Sequence, residues 1–224
     1  MDASVSPRRG LLITLEGPDG AGKSIQASLL AERLVAAGAR VALTREPGGT
    51  ALGERIRELL LDVDAGPRDP LADAMLFNAA RRQLVADVLR PALADGLVVI
   101  CDRFTDSTLA YQGYGAGAPL DTLAALAALS TDGLRPDRTV LLDLPAEVGL
   151  ARRRGGDAAQ LTRFELDAQH DRRFHERVRH GFLELAGDEP DRWRVVDASR
   201  DPAAVSADVW AAVMDLFAGP AGER

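Results

Sequence analysis

Gly17-Pro18-Asp19-Gly20-Ala21-Gly22-Lys23-Ser24 has the spacing G-x-x-x-x-G-K-[ST]. Glycines in such a loop let backbone N–H groups turn inward onto phosphate oxygens. The lysine brings a point charge to the β- and γ-phosphates, and the serine hydroxyl offers a place to Mg²⁺. Lys23 is the only lysine in the chain, and every other basic side chain of this kind is an arginine. A compact ammonium fits beside a tight glycine turn where a guanidinium fork is too broad. All eight residues are therefore read as a nucleoside-triphosphate site.

Such a loop has to leave a strand and open a helix. It does both here, between the apolar run 11–16 and a helical pattern over 22–37. Four more apolar runs follow at 41–44, 97–101, 139–144 and 194–197. None alternates with polar residues, which predicts strands buried on both faces of a parallel sheet. Helical patterns fill 52–61, 70–94, 119–130, 146–154, 162–186 and 202–217. The alternation predicts an α/β fold of three layers. A single domain is expected over 10–218, with a flexible tail at 1–9 and a frayed one at 219–224. A second acid near the metal should end a strand beside the first. Asp102 and Asp143 both qualify, and Asp102 is favoured because Arg103 follows it at the carboxyl edge, where ligands bind. Asp143 leads into a helix start and is read as structural or indirect in its role.

The chain has 224 residues, 46% hydrophobic, with a net charge of -7. That charge argues against a general nucleic-acid or membrane-surface binder. One cysteine excludes an internal disulfide and a cysteine metal site. No signal core or membrane-length apolar run is present, so a cytoplasmic protein is expected. The three histidines, 170, 175 and 180, fall on a helical pattern as partly exposed residues.

"EGPDGAGKS" (16–24), "TREPGGT" (44–50), "MLFNAARR" (75–82), "CDRFTDSTLAYQG" (101–113), "GLRPDRTVLLDL" (133–144) and "TRFE" (162–165) stand in the order and spacing of the bacterial thymidylate kinase family. The resemblance covers about residues 11 to 200. It implies a P-loop kinase fold with a five-stranded parallel sheet flanked by helices and a mobile lid near 151–163. It also implies ATP with Mg²⁺ as donor, dTMP as acceptor and a homodimer. Arg103 is implied to hold the acceptor phosphate, for which a fork-shaped cation is well suited. Phe77 is implied to stack on the thymine and Arg81, one turn on, to bond its edge. Thr108, Tyr111 and Gln112 resemble sugar and base contacts, with Tyr111 beneath the ribose. Asp19 falls near the 3′-hydroxyl, and Arg45, Glu46 and Pro47 form a turn on the acceptor side. Ser24 and Asp102 are the metal candidates. Gly20 occupies a loop position that one subtype fills with arginine, which implies that the lid supplies arginines here. Arg152, Arg153, Arg154 and Arg163 are candidates, and the Gly155-Gly156 pair marks a mobile loop. The segment 195–199 resembles the adenine-side loop.

Three departures stand out. Ile25 replaces a usual Thr. Ala80 replaces an Asp that would orient Arg81, and Thr162 replaces an Asp of the lid, leaving Glu165 as its acidic member. A kinase for another nucleotide or nucleoside and a non-catalytic nucleotide binder are the competing readings. The second would be expected to lack Lys23, Ser24 or the lid arginines.

Overall fold

The computed structural model describes residues 9–62, 64, 66–154 and 172–217, with the side chain of Arg154 outside that description. Five strands form one parallel sheet: β1 (Leu11–Glu16), β2 (Val41–Arg45), β3 (Val98–Asp102), β4 (Arg138–Asp143) and β5 (Trp193–Asp197). Their spatial order is β2-β3-β1-β4-β5. The chain thus passes from β1 to the edge strand β2, returns inward as β3, and then crosses to β4 and β5 on the other side of β1. The crevice at the carboxyl end of β1 is the switch point where ligands of such sheets bind. Register brings Leu15 and Arg45 level with Asp102, so three strand ends open onto one place.

Burial on both faces holds for β1, β3 and β4. It fails for β2 and β5, where Leu43 and Val195 are about half exposed. Those two strands are the sheet edges, and an edge strand lacks a neighbour and full cover. On one face, Ile13, Leu15, Ile100 and Leu142 pack with Leu30 and Leu34 of α1 (Lys23–Ala36) and Val205 and Val209 of a late helix, Pro202–Ala211. On the other face, Leu12, Val99 and Cys101 meet Leu84, Val85 and Leu89. Each such buried aliphatic side chain contributes about 1.5–3 kcal/mol.

α2 (Ala51–Leu61) follows β2 and is capped by the Thr50 side chain, which accepts from Gly53 N. The single helix expected over 70–94 is interrupted. α3 (Pro70–Leu84) passes through a wide π turn at 85–89 into α4 (Arg90–Ala94). Pro91 has no N–H and crowds the carbonyl four residues back, so the regular ladder cannot pass it. After β3 come α5 (Thr105–Thr108) and a second π turn over 109–115, then α6 (Leu120–Thr131) and α7 (Ala146–Arg154). The helix expected over 162–186 is described from Arg172 as α8 (Arg172–Asp188), and 162–171 lie outside the described residues. α8 packs on the second π turn, and the Tyr111 ring meets Phe174 and Phe182 edge-on at 6.2 Å. α9 is Pro202–Ala211, followed by a 3-10 turn at Met214–Leu216 in place of one continuous helix.

Candidate active site

One cavity of about 810 Å³ runs along the carboxyl edge of the sheet. Its walls extend from Arg57, Phe77 and Arg81 at one end to Arg152, Ala198 and Pro202 at the other, with Lys23 and Arg103 between.

The loop 17–22 leaves β1 in an open shape, with positive φ at Gly17, Gly20 and Gly22. Gly20 has a second reason to be glycine. A Cβ there would lie 2.5 Å from the carbonyl oxygen of Gly149 and 2.8 Å from its Cα. The start of α7 fills the space that a side chain at this position needs, whether methyl or arginine. Gly20→Ala is therefore expected to lower the unfolding free energy by about 2 kcal/mol, from the left-handed backbone and the contact together. Urea unfolding of the two proteins measures it, and equal midpoints would refute the packing argument.

Lys23 is buried, and its Nζ donates to the carbonyls of Gly17 and Pro18, both at 3.0 Å. Burial and the nearby Arg103 push its pKa down to about 8, against the pull of Asp19, Asp102 and Glu16. A bound polyphosphate favours the ammonium and must raise that value again. ATP binding is therefore expected to take up almost one proton at pH 9 and almost none on this lysine at pH 7. Calorimetry in buffers of different ionisation enthalpy reads this, and Lys23→Met should abolish it. Equal uptake at the two pH values would contradict the shift.

Ser24 donates its hydroxyl hydrogen to Asp102 Oδ2 at 2.5 Å. A hydroxyl and a carboxylate are the hard oxygen donors that Mg²⁺ takes, and they stand beside the phosphate loop. Among the described residues no group of three His, Cys, Asp or Glu side chains could hold a metal. Mg²⁺ uses one or two protein oxygens with phosphates and water. Asp143 instead takes a bidentate pair from Arg179 at 2.7 and 2.8 Å, in line with its structural reading.

Arg103 follows Asp102 with a left-handed backbone, φ 72°. Its Nη2 donates to Asp19 Oδ1 at 2.5 Å and to the Tyr111 hydroxyl at 3.2 Å. Nη1 reaches Gly17 O at 3.2 Å and Ser107 Oγ at 3.0 Å. Tyr111 donates in turn to Asp19 Oδ2 at 2.9 Å. Burial opposes the Arg103 cation, but Tyr111, Asp19 and Asp102 outweigh it and hold the pKa above its ordinary value. Burial likewise opposes the Asp19 carboxylate, yet Arg103 and Lys23 keep its pKa low.

Arg81 lies at the cavity floor, 1% exposed. It donates from Nε to Glu46 Oε2 at 2.8 Å, from Nη1 to Asn78 at 2.9 Å, and from Nη2 to Phe104 O and Thr108 Oγ1 at 3.1 and 3.0 Å. The orienting bond that Ala80 cannot make is thus replaced from Glu46, Asn78 and Thr108. Burial raises the Glu46 pKa, and Arg81 opposes it. Pro47 is buried behind a cis Glu46–Pro47 peptide, whereas Arg45 is exposed and pairs with Glu54 at 3.0 Å. Phe77 is half-buried and Gln112 buried, both in the cavity wall.

Arg152, expected as a lid arginine, spans three backbone carbonyls: Gly20 at 3.3 Å, Ala198 at 3.0 Å and Ser199 at 3.4 Å. It joins the phosphate loop to the loop after β5. Arg153 is exposed on the wall. The side chain of Arg154, and all of Gly155, Gly156, Thr162, Arg163, Glu165 and His170, lie outside the described residues. His175 is not partly exposed as expected but buried, because that face of α8 turns toward Tyr111 and Asp19. His180 is exposed.

The wall also holds two arginines with no part in the sequence reading, Arg57 and Arg200. Arg57 donates to Pro47 O at 2.9 Å, and burial together with Arg45 lowers its pKa. Its signal was positional, since 53, 57 and 60 share the inward face of α2. Arg200, paired with Asp208 at 2.5 Å, had no comparable signal.

A parallel sheet whose central strand ends in a glycine-rich phosphate loop, with arginines facing that loop across one cavity, defines a kinase of the P-loop class. The sequence profile described as "Thymidylate kinase" matches residues 15–209. The thymidylate kinase of Deinococcus radiodurans is 52% identical over 209 residues, 92% of this chain and 98% of that protein. That of Pseudomonas fluorescens is 54% identical over 191 residues, 85% and 89% of the two chains. The crystal structure of thymidylate kinase from Ehrlichia chaffeensis superposes with a TM-score of 0.70 at 36% identity, covering 90% of this chain and 97% of that one. The chain belongs to the thymidylate kinase family.

Proposed function

We propose that this chain transfers the γ-phosphoryl group of ATP to dTMP, giving dTDP and ADP. The observation that carries the reading is Lys23 on the phosphate loop and Arg103 just past the end of the adjoining strand, facing one cavity. Family membership supports the donor, the acceptor and the use of Mg²⁺.

An oxygen of the dTMP phosphate forms the new bond to Pγ, and the bond from Pγ to the bridging oxygen breaks, with ADP leaving. The acceptor has a second pKa near about 6 and is largely a dianion at neutral pH, so no general base is required. The difficulty is the approach of two anions, and positive charge around the transferred group answers it. Lys23 and the loop N–H groups of residues 17–24 hold the donor phosphates. Arg103 and Arg57 clamp the acceptor phosphate, beside Arg45 and Pro47. Asp19 meets the 3′-hydroxyl, Tyr111 lies under the deoxyribose, and Thr108 and Gln112 complete the nucleoside contacts. Phe77 stacks on the base. Four of the N–H groups of Arg81 are engaged with protein acceptors, and the remaining one, on Nη1, bonds the base edge. Ser24 and Asp102 hold Mg²⁺, which when bound neutralises phosphate charge. Arg153, Arg154 and Arg163 are the lid cations, while Arg152 shapes the donor end. A closed lid keeps water from the transferred group.

The family resemblance also supports a homodimer acting in the cytoplasm, without a nucleic-acid partner. No helix among the described residues is long and apolar enough to cross a membrane. Phosphorus NMR of ATP, Mg²⁺, dTMP and the protein tests the reaction. The ATP γ-signal should fall as the two signals of dTDP grow. Inorganic phosphate in place of dTDP would refute it.

A further inference from the structure

Glu16 is the last residue of β1 and stands directly before the phosphate loop. It is wholly buried. Burial and the nearby Asp106 push the pKa of the Glu16 carboxyl up to about 8, and the donors that favour its charged form all come from a single distant segment. Oε1 accepts from Phe104 N at 2.7 Å and from Ser107 N at 3.3 Å, and Oε2 accepts from the Ser107 hydroxyl at 2.5 Å. Phe104 precedes α5, where a capping side chain would normally satisfy the open N–H groups, and phenylalanine cannot. Glu16 supplies that cap from another strand.

These bonds bracket Arg103. Its own N–H donates to Leu15 O at 3.0 Å, so two successive residues of β1 hold the backbone on either side of its left-handed kink. Such a conformation persists in a bulky residue only where its surroundings over-determine it. The side chain is held as well. Ser107 Oγ gives its hydrogen to Glu16 and accepts from Arg103 Nη1 at 3.0 Å.

We propose that Glu16 is a positioning residue for the acceptor-phosphate clamp, fixing the backbone of Arg103 through Phe104 and aiming its guanidinium through Ser107. The inference rests on the dTMP reading of the cavity. Glu16→Gln keeps the size and the acceptor for Phe104 N. Its amide, however, donates to Ser107 Oγ, so the serine hydrogen loses its acceptor on residue 16 and the hydroxyl is no longer anchored as the acceptor for Arg103 Nη1, which has no lone pair to take that hydrogen.

Calorimetric titration of the whole protein with dTMP and, separately, with thymidine tests this. Thymidine has the same base and sugar without the phosphate, so it reports the pocket independently of the clamp. Glu16→Gln should weaken dTMP about tenfold, the size of one charge-assisted hydrogen bond, and leave thymidine within about twofold. The KM for dTMP should rise while the KM for ATP stays. Equal weakening of both ligands, or unchanged dTMP affinity, would overturn the proposal. Should Glu16→Gln not fold, Ser107→Ala removes only the link to the guanidinium and must show the same phosphate-specific loss; wild-type dTMP affinity in that variant overturns the proposal too. Wild-type protein that binds ATP but no dTMP would instead remove the functional reading, and the inference with it.

Discussion

Lys23→Ala should lower kcat by about a thousandfold while the protein stays folded. The cation sits where charge builds on the transferred group, in a site with little water. Removing one such preorganised donor costs about 3–4 kcal/mol of transition-state stabilisation. Lys23→Arg should recover little of it. The Nζ lies between the carbonyls of Gly17 and Pro18, and the side chain is almost fully enclosed. A planar fork needs more room than that and cannot present one compact charge. This accounts for a solitary lysine in a chain that otherwise uses arginine. Initial rates at saturating dTMP, with the thermal midpoint as a control, measure the effect. An alanine variant keeping a tenth of the rate would refute the assignment.

Arg103→Ala should reduce kcat/KM for dTMP by about a thousandfold or more, and leave ATP affinity nearly unchanged. The guanidinium loses its place before a phosphate dianion, where a bidentate, charge-assisted contact is strongest. A second consequence follows from the geometry. Arg103 is the leading charge holding the Asp19 carboxylate ionised, so Asp19 is left with burial as its main influence and its pKa rises. The remaining activity should therefore fall at low pH more steeply than in the wild type. Lys at 103 should not restore it, because one ammonium cannot reach Gly17 O, Asp19, Ser107 and Tyr111 together. Unchanged KM and kcat for dTMP would place the acceptor elsewhere.

The features legible in the sequence were those with a local signal. β1, β3 and β4 announced themselves as unbroken apolar runs, and the phosphate loop by its spacing between a strand and a helix. Exposure of β2 and β5 was not legible, because edge position depends on the spatial order of all five strands. The π turn before α4 did have a local cause in Pro91, which a single 25-residue helix had passed over. Among the site residues, Lys23, Ser24, Asp102 and Arg103 come together as their positions suggested. Glu16 stands in the quoted motif, but its donors lie about ninety residues away and only the fold brings them near. Arg152 was a lid candidate from the family resemblance alone. The backbone carbonyls of Gly20, Ala198 and Ser199 that engage it carry no sequence signal. The burial of His175 was not legible either, since burial on α8 is decided by the 109–115 turn packed against it.

The most direct measurement is ADP release, coupled to a spectrophotometric readout, with Mg²⁺–ATP and a panel of acceptors: dTMP, dUMP, UMP, CMP, AMP and thymidine. Preference for dTMP over the ribonucleotides by at least about a hundredfold in kcat/KM is expected, with no turnover of thymidine, which lacks the phosphate that Arg103 clamps. Faster turnover of another monophosphate, or transfer to thymidine itself, would contradict the account.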